Sequence, residues 1–196
     1  IILNISVIAL MSLTGNSFAS IGGDDNLTIK KDLSNVEWIG KKVSGQHSGT
    51  INIKEGQLHM HGEQISNGTV VIDMSSIVVT DLDGGMKTKL EGHLNSPDFF
   101  DVANNKTATL KITSSKKLDG KKYTIYGELT IKGITKPIEF PATIELKEGK
   151  LAAYAELQVD RTLYDIKYGS GKFFEGLGDK MISDEFTIKF KIAAAK

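Results

Sequence analysis

Leu90 to Val102 reads Leu-Glu-Gly-His-Leu-Asn-Ser-Pro-Asp-Phe-Phe-Asp-Val, and here a chain otherwise patterned as strands changes its period. Just upstream, Leu82, Met86, Leu90 and Leu94 recur every four residues, which places them on one stripe of a helix. The spacing predicts a short helix near Asp83–Asn95, with Asp81 or Asp83 accepting from the free amides of its first turn. Pro97 disfavours helix in the residue before it, so the chain leaves the helix by Asn95 or Ser96. Phe99 and Phe100 then form an aromatic wedge that must enter a core or a cavity. A single helix with an apolar stripe, set between two groups of strands, covers one end of a β structure.

On either side the sequence alternates apolar and polar residues. Before the helix, Val36 and Trp38, Ile51 and Ile53, Leu58 and Met60, then Val70, Ile72 and Met74 share faces. Glu55-Gly56 and Asn67-Gly68 read as hairpin turns between these runs. After the helix, Ala108, Leu110 and Ile112 open a second series, with turns at Asp119-Gly120, Lys132-Gly133 and Glu148-Gly149. Leu151, Ala153, Ala155, Leu157 and Val159 form one inward set, and Phe186, Ile188, Phe190 and Ile192 close the chain. Asp160 to Ser183 is irregular, with Phe173-Phe174 inside it.

Strands joined by tight turns, each with one apolar face, predict an all-β antiparallel meander. About eight such strands hide their edges by closing into a barrel, which is either filled by side chains or holds one small ligand. Gly127, Ala142, Ala153 and Ala155 fall in the inward phase, where a filled core would place larger residues, so the pattern predicts a cavity.

Of 196 residues, 1–19 read as a signal peptide: Ile1 to Leu13 is almost wholly apolar, and Ser17-Phe18-Ala19 supplies the small residues of a cleavage site. The apolar run is too short to span a membrane. Residues 20–33 read as a polar leader and 34–196 as one domain, with strands beginning at Ser34. There is no Cys, so disulfides, thiolate metal sites and a Cys nucleophile are excluded, and an exported chain of this kind fits a bacterial periplasm. The formal charge is zero and the Lys pairs are scattered, which gives no electrostatic footprint for nucleic acid.

Three blocks carry a family likeness. They are Ile72-Asp73-Met74-Ser75-Ser76-Ile77, His93 through Val102, and Leu129-Thr130-Ile131-Lys132-Gly133-Ile134-Thr135-Lys136-Pro137. Trp38, Lys41, His47 and Gly49 accompany them, as do Asp160-Arg161 with Tyr168, and Ile182-Ser183-Asp184-Glu185. Together they resemble the YceI-like family nearly end to end. The resemblance implies a lipocalin-like barrel, periplasmic or secreted, with a hydrophobic tunnel for a long isoprenoid or similar lipid, in a family loosely linked to envelope stress and quinone handling. Where members usually carry Tyr-Pro-x-Ala-Thr-Phe, this chain has Asn105-Lys106-Thr107-Ala108-Thr109-Leu110.

Residue chemistry adds no catalytic constellation. His59 and His61 share a strand face and make a workable chelate, but they lie opposite Leu58 and Met60 and lack further ligands. His93 reads as a half-buried helix residue, His47 and Ser48 have no third partner in view, and no Gly-x-Ser-x-Gly turn exists. Asp160-Arg161 reads as an ion pair at a strand end, with Arg161 also a candidate head-group contact. The expectation is a binding protein, not an enzyme, with no metal and no cofactor. Its partner is a long-chain isoprenoid or lipid, without nucleic acid or stable membrane insertion; a homodimer stays open. Trp38 and Met74 are expected to line the cavity from the early strands, and Leu90, Leu94, Phe99 and Phe100 from the helix. Ile125, Leu129, Phe140, Ala153, Ala155 and Phe186 join them from the later strands, with Phe173 and Phe174 gating or lining an end. The rivals are an interaction module with a filled barrel and a His-dependent enzyme acting on a lipid.

Overall fold

The computed structural model describes residues 23–196, so the segment read as a signal peptide lies outside the described residues. Four strands precede the helix: β1 (Asp24–Ile29), β2 (Asn35–Lys42), β3 (Gly45–His61) and β4 (Gln64–Val79). Helix α1 (Gly84–Asn95) follows, the single α-helix among the described residues. Then come β5 (Thr107–Lys117), β6 (Lys122–Ile131), β7 (Ile134–Lys147), β8 (Lys150–Asp160) and β9 (Ile182–Ala195). Each strand from β2 onward pairs antiparallel with the next, and β9 returns to β2, so eight strands close a lipocalin-like barrel. No helix among the described residues is long and apolar enough to cross a membrane.

The extra strand is β1, inside the stretch read as a leader. It pairs with the far half of β3, Asp24 opposite His61, and touches the end of β9 at Thr28 and Ala195. A 3-10 turn at Lys31–Leu33 separates it from β2, so β1 and β2 together make one stave. Strands therefore begin before Ser34: the polar residues Asp24 to Asn26 hid the alternation of Leu27 and Ile29, both of which are buried.

Two expected turns are also corrected. Glu55-Gly56 and Asn67-Gly68 lie inside β3 and β4, which run straight through them with bulges at Lys54 and Ser66. Neither glycine has a positive φ; the true turn is at Gly62, with φ 59°. Gly56 and Gly68 serve close approach instead, because a Cβ at Gly56 would collide with Ile29 and one at Gly68 would sit 2.8 Å from Leu58 Cδ2. The turns at Gly120, Gly133 and Gly149 form where the sequence placed them, with φ of 55°, 71° and 73°.

A third irregularity in β4 shapes the interior. Asn52 pairs with Asp73 while Thr50 pairs with Val78, so Met74 to Ile77 bulge out of register. The Asp73 carboxylate accepts from the Ser75 amide at 3.0 Å, and the Asn52 amide donates to Ser76 Oγ at 2.8 Å. Met74 and Ile77 are both turned into the core as a result.

Helix α1 is as predicted in extent but differs in its cap. Asp83 occupies the N-cap position with no side-chain hydrogen bond, and Asp81 is committed elsewhere, to the Ser48 amide at 2.9 Å and His47 Nδ1 at 2.8 Å. That carboxylate is the third partner that His47 and Ser48 lacked in the sequence. The helix is fastened instead by Glu91, whose Oε1 accepts from the Val79 amide at 2.9 Å. Leu94 is buried and Leu82 and Leu90 half-buried, whereas Met86 is 68% exposed, so the stripe packs at both ends but not at Met86.

Trp38 lies across β3 at Gly49, its cross-strand partner. A Cβ at Gly49 would collide with the Val78 carbonyl and sit 2.6 Å from two indole carbons. Gly49→Ala is therefore expected to destabilise the fold by about 2–3 kcal/mol, read as the shift in a urea unfolding midpoint. A loss below about 0.5 kcal/mol would show that the indole is not pinned there.

Candidate functional site

The barrel interior is not filled. A cavity of about 140 Å³ lies at the helix end, and a second of about 50 Å³ lies toward the opposite end. Every stave contributes to both: β8 gives Leu157 and Val159 to the first and Ala153 and Ala155 to the second, and β9 gives Phe186 and Ile188 to the first and Ile192 to the second. The voids are thus stacked along the barrel axis. Leu110 and Phe190 line both and form the partition between them.

The wall of the larger void is nearly all carbon. Trp38 and Met74 face it from the early strands, Leu129 from β6 and Phe186 from β9. Leu94, Phe99 and Phe100 close it from the helix and the turn that follows. That turn is held by Phe100 N to Leu94 O at 3.1 Å and Val102 N to Asn95 O at 3.0 Å. Asp101 there has φ 46°, and the amides of Asn104 and Asn105 donate to its carboxylate and carbonyl. Side-chain amides so secure the turn that leads into β5. Outside the void, His93 packs edge-on against Phe99 and Tyr168, at centroid distances of 4.8 and 4.5 Å.

Several residues expected together are not. Ile125, Phe140, Ala153 and Ala155 line the smaller void, not the larger. Leu90 touches neither. Phe173 and Phe174 are 48% and 50% exposed and lie outside both cavities, in a turn where both of their amides donate to the Ser170 carbonyl. Gly127 is no vacancy either: a Cβ there would lie 2.5 Å from the Lys111 carbonyl oxygen, so its smallness serves backbone packing beside the β5 bulge. The alanines do leave space. Cavity residues the sequence reading passed over include Ala108, Phe190 and Ile166; the first two sit in alternating runs that offered them, whereas Ile166 sits where there is no period to read.

The opening is marked by residues that both line the larger void and reach solvent: Lys41, Ser183 and Glu185. They flank the bulge at Gly40–Lys42, where the β2–β9 ladder loses register. Trp38 is 8% exposed, and its indole N–H has no acceptor among the described residues.

Arg161 lines the same void yet is structural in its contacts. It is 3% exposed and donates from Nε to Ser183 O at 2.8 Å, from Nη1 to Ile166 O at 2.8 Å and from Nη2 to Ile182 O at 3.1 Å. Its nearest carboxylate is Asp184, at 3.8 Å, and not Asp160. Burial presses the guanidinium below its usual pKa, while Asp184 and Asp160 oppose that. Asp160 instead accepts from the Thr162 amide at 2.9 Å, the Thr162 hydroxyl and Lys172 Nζ. Partial burial works to raise its carboxyl, but these donors outweigh it and hold the pKa below the ordinary value.

The other histidines pair locally. His59 and His61 meet Asn26 and Asp24 of β1 across the strand gap, and no group of three or more His, Asp or Glu among the described residues is placed to hold a metal ion.

The chain matches the YceI-like domain over residues 27–194. It belongs to the YceI-like family. Curated relatives include Protein YceI of Escherichia coli, 42% identical over 57 residues, which is 29% of each chain. A UPF0312 protein of Pectobacterium carotovorum is 42% identical over 52 residues, 26% of this chain and 27% of the relative. These alignments span less than a third of the relatives' length. Among solved structures, BcnA of Burkholderia cenocepacia aligns with a TM-score of 0.68 at 23% identity, covering 85% of this chain and all of that one. A polyisoprenoid-binding domain from Saccharophagus degradans, implicated in plant cell wall breakdown, aligns with a TM-score of 0.64 at 13% identity, over 86% of this chain and 97% of that one. At such identities the likeness is one of fold.

Arg161→Met is expected to leave three carbonyls without their donor and to reduce stability by about 3 kcal/mol, measured by denaturant unfolding; a change under about 1 kcal/mol would contradict the clamp. Asp160, with a folded pKa below the unfolded value of about 3.9, contributes stability that is complete above that pH and lost as pH falls through the folded pKa. Asp160→Asn is accordingly expected to flatten the acid limb of the stability curve below about pH 4; an unchanged limb would contradict the assignment.

Proposed function

We propose that this chain is a non-catalytic binding protein of the bacterial envelope that takes an apolar, isoprenoid-type chain into the barrel, to sequester or carry it. The observation that carries the reading is the carbon-lined void between Trp38 and Phe100, open beside Lys41 and Glu185. The fold shared with the polyisoprenoid-binding domain of Saccharophagus degradans supports it. So does the chemistry of such a ligand, which gains about 0.8 kcal/mol per buried methylene and needs no ionic anchor.

Size sharpens the reading. An apolar cavity near 150 Å³ takes up a benzene-sized group, and the helix-side void of about 140 Å³ matches that scale. A longer chain must extend either through the mouth or past Phe190 into the second void. The unpaired indole N–H of Trp38 offers a donor to an oxygen on the ligand.

The test is native mass spectrometry of the purified protein, alone and with geranylgeraniol. A co-purifying apolar molecule or a stoichiometric prenol adduct is expected; neither, over repeated preparations, overturns the proposal. Ala108→Phe, which fills the helix-side void, is expected to weaken uptake by about tenfold or more. Ala153→Phe and Ala155→Phe, in the second void, are expected to weaken long prenols more than short ones. Equal effects on both lengths would contradict the stacking of the two compartments.

A further inference from the structure

The residues around the cavity mouth carry a second feature. Phe173 and Phe174 lie exposed in the loop between β8 and β9, and Tyr168 and Met181 of that loop are exposed with them. Val43, just after β2, is exposed too, and its amide donates to the Met181 carbonyl at 3.1 Å. Met181 lies against Gly171, where a Cβ would be 2.8 Å from its sulfur, and the Phe173 and Phe174 amides both return to Ser170 O. Tyr168 reaches the helix end through His93 and Phe99. All of these exposed side chains belong to the β8–β9 loop or to Val43, which is bonded to it, so they gather in one region of the surface, an apolar rim, rather than being scattered singly.

This rim borders the opening on the side of the β8–β9 loop. Val43 follows Lys41 by two residues, Met181 precedes Ile182 and Ser183, and Tyr168 touches Phe99; Lys41, Ile182, Ser183 and Phe99 all line the larger void. Exposed Leu118, by contrast, lies in the β5–β6 turn at the opposite end.

We infer that this rim docks the barrel, mouth first, onto a lipid bilayer, so that an apolar chain passes between membrane and cavity without crossing water. The inference rests on the ligand reading above and names the surface from which that ligand comes. Aromatic rings at the level of the head groups suit the amphipathic interface of a bilayer. Charge at the rim is balanced: Lys167 pairs with Asp165 at 2.6 Å and stacks 5.3 Å from the Phe173 ring centroid, and Lys172 pairs with Asp160 and Asp184. Docking is therefore driven by ring insertion rather than by attraction to anionic lipid, and it persists at high salt, where exposed charge pairs are screened.

The experiment uses the intact protein with phosphatidylcholine vesicles. Phe174→Trp is expected to shift its emission to the blue on adding vesicles and to be quenched by brominated lipid, at low and high salt alike, while Leu118→Trp shows neither effect. The double variant Phe173→Ser, Phe174→Ser is expected to bind vesicles about tenfold or more weakly per ring lost. It should unfold at the unchanged midpoint and still take geranylgeraniol from solution, seen through quenching of buried Trp38. No shift and no vesicle binding for Phe174→Trp overturns the inference, as does an equal response from Leu118→Trp. A blue shift that grows with protein concentration without vesicles assigns the rim to a second copy of the chain and overturns it too. Vesicle binding without any prenol uptake would sink the ligand reading while leaving the docking surface standing.

Discussion

A barrel whose strands close edge to edge has a circumference set by backbone hydrogen bonds, so its interior does not shrink when inward side chains are small. Everything else in this molecule follows from that constraint. β9 returns to β2 and fixes the width; Ala108, Ala142, Ala153 and Ala155 then stand where larger residues would fill the centre. Trp38, Phe186 and Phe190 reach across part of the space, and two voids remain with Leu110 and Phe190 between them. In an open sheet the same alanines would be absorbed by closer packing; here they leave volume.

The ends of the barrel are where irregular structure is held by polar contacts. Glu91 ties the helix to Val79, and the Arg161 fork ties the last loop to the start of β9 through three carbonyls. These anchors let Leu94, Phe99 and Phe100 cap the void on one side while the bulge at Gly40–Lys42 leaves it open on the other. Rigid closure and a defective ladder lie within a few residues of each other, which is how a hollow both survives and stays accessible.

Most of the architecture was legible in the alternation of apolar and polar residues, and the helix in its four-residue spacing. What misled was glycine. In sequence Gly56 and Gly68 look like Gly120 and Gly149, yet the first two make room for Ile29 and Leu58 and the last two supply a positive φ. Gly127 misled in the same way, as space for a ligand when it is space for the Lys111 carbonyl. The Phe pairs show the other limit. Phe99-Phe100 and Phe173-Phe174 are the same dipeptide beside irregular segments, but only the first follows a helix whose buried end directs it inward. Arg161 was found and its partner was not, since Asp184 is distant in sequence and backbone carbonyls leave no trace in it.

The void is lined by carbon and smaller than a long chain needs, so under the proposed function such a chain either extends through the mouth or moves Phe190 aside. The most direct measurement is a crystal structure of the protein grown with geranylgeraniol. Continuous density is expected to run from the opening beside Lys41 and Glu185, past Trp38, toward Phe190. A prenol seated only on the outer surface, with the interior unchanged, would contradict it.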